Sequence, residues 1–245
     1  LCEACVKSKQ TRHSFTRSSS SGAKDKISLL PLEQRILRIS TDLKGPMSVT
    51  GTNGERYLQI FTDDATKWRV GKTLKMKSEA CDTLREFVDE LASENQSMVE
   101  YHADGAPELI SKEIRTILVK SNTRLSYSPP YTPELNGISE RSNRTIWEAS
   151  DAMLNACVLP FVFWIFSCMY AILCYNVLPT QTMKGWMSPY EAKYGAIPDV
   201  GVFRVFGCVA FVHVPAQDRT STFSDKSYKG YFVGLKWPLL DRFLI

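Results

Sequence analysis

The chain has 245 residues, 44% of them hydrophobic and 23% charged, with a formal net charge of +4 and a pI near 8.6. That balance is enough to bury a sizeable core in one or two domains of a soluble globular protein, and it favours polyanionic partners only mildly. Seven cysteines without a signal-peptide pattern point to a reducing compartment and to free or metal-bound thiols, and exclude a disulfide-scaffolded secreted chain. The first residue is Leu1, so the chain reads as a fragment or a processed piece.

In chain order, Cys2-Glu3-Ala4-Cys5 has the two-residue gap of a zinc knuckle, in which two thiolates from one tight turn take adjacent tetrahedral positions. Two further ligands are needed, and the three histidines, His13, His102 and His213, do not form an upstream pair. Cys2 and Cys5 are therefore either half a zinc site or two free thiols. Lys7, Lys9, Arg12 and Arg17 follow, a cluster suited to DNA phosphates or to a solvated tail. Residues 18–26, four serines, Gly22 and mostly polar neighbours, cannot bury apolar area and read as a linker, so a folded domain is expected from about Ile27.

From Arg38 the pattern is strand-like. Arg56–Phe61 and Lys67–Val70 flank Thr62-Asp63-Asp64-Ala65-Thr66, a spacer of hairpin length. Asp63 and Asp64 are read as turn residues, because short Asx side chains bond their own backbone in tight bends. After Ser78, a plausible N-cap, Ala80, Leu84, Phe87, Val88 and Leu91 recur at helical spacing and predict an amphipathic core helix. Met98–Tyr101 predicts a short strand leading to Asp104, and Leu109, Ile110, Ile114, Ile117 and Leu118 predict a second helix. Pro129, Pro130 and Pro133 make Ser126–Asn136 an irregular loop.

A third helix, capped around Asn136 or Gly137, carries Glu140 one turn in and an apolar stripe of Ile146, Ala149, Met153 and Cys157. Residues 152–183 carry no charge, a length that permits a membrane span. Asn155, Pro160, Asn176 and Pro179 argue against one and for a buried helix on a sheet, part of which could mark a dimer surface. Ser188–Ala192 predicts a short helix, and Val205–Val212 and Gly230–Gly234 predict strands.

Three acids stand out. Asp42 lies in the apolar-flanked segment Ile39–Pro46, Asp104 follows a predicted strand, and Glu140 comes after a gap of 35 residues. Separate strand and helix ends are an economical way to converge such acids. A carboxylate cluster holds hard cations, and two cations clamp the attacking and leaving oxygens of a phosphodiester. The bland alternative is three solvated charges, with Glu140 and Arg144 making an ordinary i, i+4 surface pair.

Thr41-Asp42-Leu43-Lys44-Gly45-Pro46-Met47, the 35-residue gap, Thr132–Arg141 and Arg204-Val205-Phe206-Gly207-Cys208 together resemble the integrase of a copia-type retrotransposon, in the retroviral integrase superfamily. The resemblance runs from Cys2 to about Leu235. It implies an α/β, ribonuclease-H-like core with a mixed five-stranded sheet and flanking helices over residues 27–183. It further implies the end of a His- and Cys-ligated zinc domain at 1–17 and a connecting helix with part of a small β module at 184–245, where Trp237–Ile245 departs from the pattern. By the same resemblance Asp42, Asp104 and Glu140 would hold Mg²⁺ or Mn²⁺. Asn136, Arg141, Asn143 and Arg144 would contact double-stranded DNA, and Zn²⁺ would bind only a complete N-terminal domain. The implied activity is trimming of DNA ends and joining of the resulting 3′-hydroxyl to target DNA, by a homo-oligomer without a membrane anchor, nuclear when on DNA and otherwise in a cytoplasmic particle. Gly105-Ala106-Pro107 and Glu134 depart from the usual family residues and keep open a second reading, an inactive relic that binds nucleic acid or a partner. A ribonuclease H or other nuclease of this fold is a third reading, disfavoured by the Pro-rich loop and Asn136-Gly137.

Overall fold

The computed structural model describes residues 35–128, 137–221, 223–236 and 243–245, with the backbone alone for residues 35 and 137–142. The remaining residues, Cys2, Cys5 and Asn136 among them, lie outside the described part.

The centre is a mixed five-stranded sheet in the order β3-β2-β1-β4-β5. β1 (Arg35–Lys44) pairs antiparallel with β2 (Tyr57–Asp63), and β2 with β3 (Arg69–Leu74). On the other side β1 pairs parallel with β4 (Ser97–Ala103), and β4 with β5 (Arg124–Tyr127). The turn between β2 and β3 has the predicted chemistry: the Asp63 carboxylate accepts from the Ala65 and Thr66 backbone N–H groups (3.0 and 3.3 Å) and from the Thr66 hydroxyl (2.6 Å).

Parallel strands need crossovers. α1 (Ala80–Ser93) links β3 to β4 and α2 (Lys112–Lys120) links β4 to β5. Ala80, Leu84, Phe87 and Leu91 of α1 are buried, as their spacing requires, with Phe87 stacked on Phe61 of β2 at 4.4 Å. Ser78 does not cap this helix. It lies in a short 3₁₀ turn, Lys77–Glu79, and the Glu79 carboxylate accepts from the Lys75 and Met76 N–H groups instead (2.7 and 3.4 Å). In α2 the cap is Ser111, which accepts from Ile114 N–H at 3.3 Å.

The opposite face of the sheet is covered by α3 (Gly137–Asn155) and α4 (Trp164–Val177). Ile146 of α3 is fully buried, and Ala149, Met153 and Cys157 pack beside it, the predicted stripe. α4 is apolar all round because it is packed on two sides. Inward, Ile172 and Met169 press against Gly71 of β3, where an added Cβ would lie 2.6 and 2.9 Å from their atoms. Outward, Tyr170 meets Phe203, Phe206 and Phe232 and donates its hydroxyl to the Arg204 carbonyl at 2.6 Å. No helix among the described residues is long and apolar enough to cross a membrane.

After α4 come a ribbon of β6 (Thr180–Thr182) and β7 (Gly185–Met187), then α5 (Pro189–Tyr194), capped by Ser188. β8 (Val209–His213) pairs with β9 (Ser227–Tyr231), and β10 (Gly234–Leu235) with β11 (Phe243–Leu244). The strand predicted from Val205 begins only at Val209, since Phe206 is drawn into the core and Gly207 turns the chain at φ +76°. The predicted Gly230–Gly234 strand is split between β9 and β10. Phe232, Val233 and Leu235 share the core of α3 and α4, so residues beyond 183 complete the packing of this face.

Asn176 ties α4 to the sheet edge. Its amide accepts from Arg69 N–H (2.9 Å) and donates to Arg69 C=O (2.8 Å), standing in for a strand neighbour. Asn176→Ala should therefore cost about 1–3 kcal/mol in urea unfolding, because the part-buried Arg69 backbone loses two partners. Leu178→Ala, at a half-exposed position, should stay within about 0.5 kcal/mol.

Candidate active site at the ends of β1 and β4

Side chains on a strand alternate between faces, so register decides what meets. β1 and β4 are aligned with Ile39 opposite Tyr101 and Ser40 opposite His102. Continuing two residues brings Asp42 level with Asp104, the residue immediately after β4, on the face that α3 covers. Both acids thus reach one end of the sheet from adjacent strands.

Asp42 is half-buried. Its carboxylate accepts from Leu43 N–H at 2.8 Å and from the side-chain amide of Asn143, which is buried on α3. Burial pushes the Asp42 carboxyl above the usual range, the charge of Asp104 adds to this, and the bonds from Asn143 and Leu43 pull it partly back. Asp104 is exposed and accepts from Ala106 N–H at 2.9 Å, a local Asx turn. Among the described residues neither carboxylate forms a salt bridge. Two acids, one partly desolvated, are held at one end of the sheet, with the charge of Lys44 lowering the Asp42 carboxyl only as the smallest of its influences.

Glu140 occupies α3 three residues before Asn143, one helical turn from the residue that bonds Asp42; i and i+3 share a helix face. Its side chain, like that of Arg141, lies outside the described atoms. Asn143 spends an amide hydrogen on Asp42 rather than facing open solvent. Arg144 is exposed and only loosely paired with Glu148 at 3.8 Å, which leaves its guanidinium accessible.

Beneath Asp104 lies a polar cluster that the sequence reading did not identify. His102 is buried between Ser126 (Nδ1 to Oγ, 2.8 Å) and Ser128 (Nε2 to Oγ, 3.2 Å). Ser126 donates to Glu100 at 2.5 Å, and Glu100 also accepts from Arg124 and lies 3.8 Å from Arg38. Burial, more than the nearby Arg38 charge, holds His102 down to about 4, so the imidazole is neutral at physiological pH. The signal was the two-residue alternation of Glu100, His102 and Asp104 against Arg124, Ser126 and Ser128. It was hidden because the expected loop began at Ser126, whereas β5 extends to Tyr127.

Glu100 supplies the pH test. Its burial raises the carboxyl, but the bonds from Ser126 and Arg124 and the charges of Arg124 and Arg38 outweigh that and leave it lowered. A carboxyl lowered in the fold contributes stability that is present above its unfolded value, 4.5, and is lost as pH falls through the folded value. Native protein should exceed Glu100→Gln in unfolding free energy by about 1 kcal/mol near pH 7, and the gap should close below pH 4.5.

No protein-family model matches the chain. It is 30% identical over 240 residues to the retrovirus-related Pol polyprotein from transposon TNT 1-94 of Nicotiana tabacum, covering 95% of this chain and 17% of that polyprotein. It is 27% identical over 234 residues to the corresponding polyprotein from transposon RE1 of Arabidopsis thaliana, covering 95% and 15%. The chain therefore spans a single stretch, well under two thirds, of the relatives it matches. Among solved structures, a chain of the simian T-cell lymphotropic virus intasome in complex with PP2A regulatory subunit B56 gamma aligns at a TM-score of 0.55 and 17% identity, over 94% of this chain and 76% of that one. At that identity the likeness is one of fold. The chain is a homologue of one stretch of the Pol polyproteins of copia-type retrotransposons, built on the ribonuclease-H-like fold of retroviral integrases.

Proposed function

We propose that this chain is the integrase part of a retrotransposon polyprotein, a divalent-metal-dependent polynucleotidyl transferase that trims DNA ends and joins the 3′-hydroxyl to target DNA. The observation that carries the reading is the level placement of Asp42 and Asp104, with the Asp42 carboxyl raised by burial and by its neighbour's charge. Hard carboxylate oxygens that form no salt bridge among the described residues fit Mg²⁺ or Mn²⁺. Glu140, one turn before Asn143, is the proposed third ligand. A divalent cation held there would neutralise charge at the phosphodiester.

The chain's own residues have defined parts in this reading. Asn143 fixes one oxygen of Asp42 and so orients the other side of the carboxylate. Exposed Arg144, with Arg141 and Asn136, would bind DNA phosphates or bases on either side of the acids, contacts that position the duplex. Positioning and charge neutralisation suffice for this phosphoryl transfer, and no covalent enzyme intermediate is needed. Zinc at Cys2 and Cys5, completed by two further ligands, assembly as a homo-oligomer, and action in the nucleus after passage in a cytoplasmic particle belong to the same proposal. The relic reading rests on Gly105-Ala106-Pro107 and Glu134; what supports the enzyme against it is that Asp42 and Asp104 are both carboxylates and lie level on adjacent strands.

The test is strand transfer of a short duplex into plasmid with Mg²⁺ or Mn²⁺, beside binding of the same duplex across a salt series. Asp104→Asn keeps size but removes a charge, so joined product should fall about 100-fold or more. DNA binding should persist and weaken with salt, because it depends on positive side chains. A native protein that binds DNA but joins none, with or without metal, would leave the relic reading in its place.

A further inference from the structure

We infer that His102 and Ser128 form a clip whose role is to hold the backbone of Asp104, making His102 a positioning residue for the acid site. The inference rests on the integrase reading for its consequence, and on the following geometry for its form.

The direction of every hydrogen bond in the cluster can be assigned. The Glu100 carboxylate only accepts, so the single Ser126 hydroxyl hydrogen is spent on it. Ser126 Oγ must then accept from His102, which puts the imidazole hydrogen on Nδ1. Nε2 is left as an acceptor, and the Ser128 hydroxyl donates to it. Arg124 and Arg38 anchor the far end at Glu100. The chain of bonds runs along β4 and β5 and ends at Ser128.

Ser128 is where this chain of bonds meets Asp104. Its N–H donates to the Ala103 carbonyl at 3.1 Å. Its carbonyl abuts Gly105, which has φ +82° and where an added Cβ would lie 3.1 Å from that oxygen. The residues before and after Asp104 are thus both seated on the Ser128 backbone. Among the described residues, the hydrogen bond of the Asp104 side chain is the local one from Ala106 N–H. His102, packed between Ser126 and Ser128, fixes the seat, in the way residues behind a metal ligand set its orientation.

Asn and Gln separate this role from mere packing. At position 102, Gln places its amide near the old Nε2 and can still accept from Ser128, whereas Asn places its amide near the old Nδ1 and keeps only Ser126. The full 245-residue chain is assayed as native, His102→Ala, His102→Gln, His102→Asn and Ser128→Ala. The readouts are Mn²⁺ affinity by calorimetry, strand-transfer rate at saturating duplex, duplex affinity and melting temperature. We expect His102→Ala, His102→Asn and Ser128→Ala to lose roughly 10-fold or more in Mn²⁺ affinity and in rate. Duplex affinity should stay within about twofold, and His102→Gln should recover most of the loss. Native Mn²⁺ affinity in Ser128→Ala, losses that follow the folded fraction, or rescue by Asn as good as by Gln would each overturn the clip. A native chain that binds Mn²⁺ but joins no DNA would defeat the integrase reading while the Mn²⁺ series still decides the clip. A native chain that binds no Mn²⁺ would remove the acid pair as a metal site, and the clip with it.

Discussion

The pairing of β1 with β4 is the constraint on which the rest of the molecule depends. It is parallel, so a crossover through α1 is obligatory, and its register fixes which residues share a level. A slip of one residue would send Asp42 to the α1 face, into the apolar cluster of Ile39, Phe61 and Leu84, and would set it against the wrong residue of β4. That same face holds a buried polar set, Gln59 donating to Thr41 at 3.2 Å and accepting from Thr83 at 2.6 Å. One hydrophobic pattern therefore specifies both the core and the convergence of the two acids.

Each side of the sheet serves that register differently. α1 and α2 close the first face with aliphatic side chains and the stacked Phe61 and Phe87. On the second face α3 supplies Asn143 to Asp42, and α4 holds α3 in place through the Ser150 and Ser167 contact at 2.6 Å, where small side chains let the helices approach. The aromatic cluster of Phe203, Phe206 and Phe232 then covers α4. The charge of Asp42 is costly to hold, since burial and the neighbouring Asp104 both disfavour it. The β1–β4 pairing and the turn at Asp104 keep the pair together in spite of that cost.

Much of this was legible in the chain. The spacing of Ala80, Leu84, Phe87 and Leu91 gave α1, the Asp63 turn gave the hairpin, and the strands before Asp104 and around Asp42 were expected where β4 and β1 lie. Three things were hidden, each because it depends on a contact distant in sequence or on a local competition. Ser78 has the chemistry of a cap, yet Glu79 reaches back to Lys75 and Met76. Val205–Cys208 has a strand composition, yet the pull of Phe206 into the core of α4 bends the chain before β8. The cluster of His102 could be found only with β5 correctly extended, because Ser126 and Ser128 lie more than twenty residues away. Asn143 was expected at phosphates, and its link to Asp42 spans 101 residues of sequence.

The central claim is that Asp42, Asp104 and Glu140 form one cation site at the end of the sheet. Anomalous diffraction from a crystal soaked in Mn²⁺ tests it without any need for turnover. The account predicts a manganese peak within coordination reach of both Asp42 and Asp104, with Glu140 turned toward it from the first turn of α3. A peak elsewhere on the chain, or Asp42 and Asp104 bound to separate ions on different faces, would contradict it.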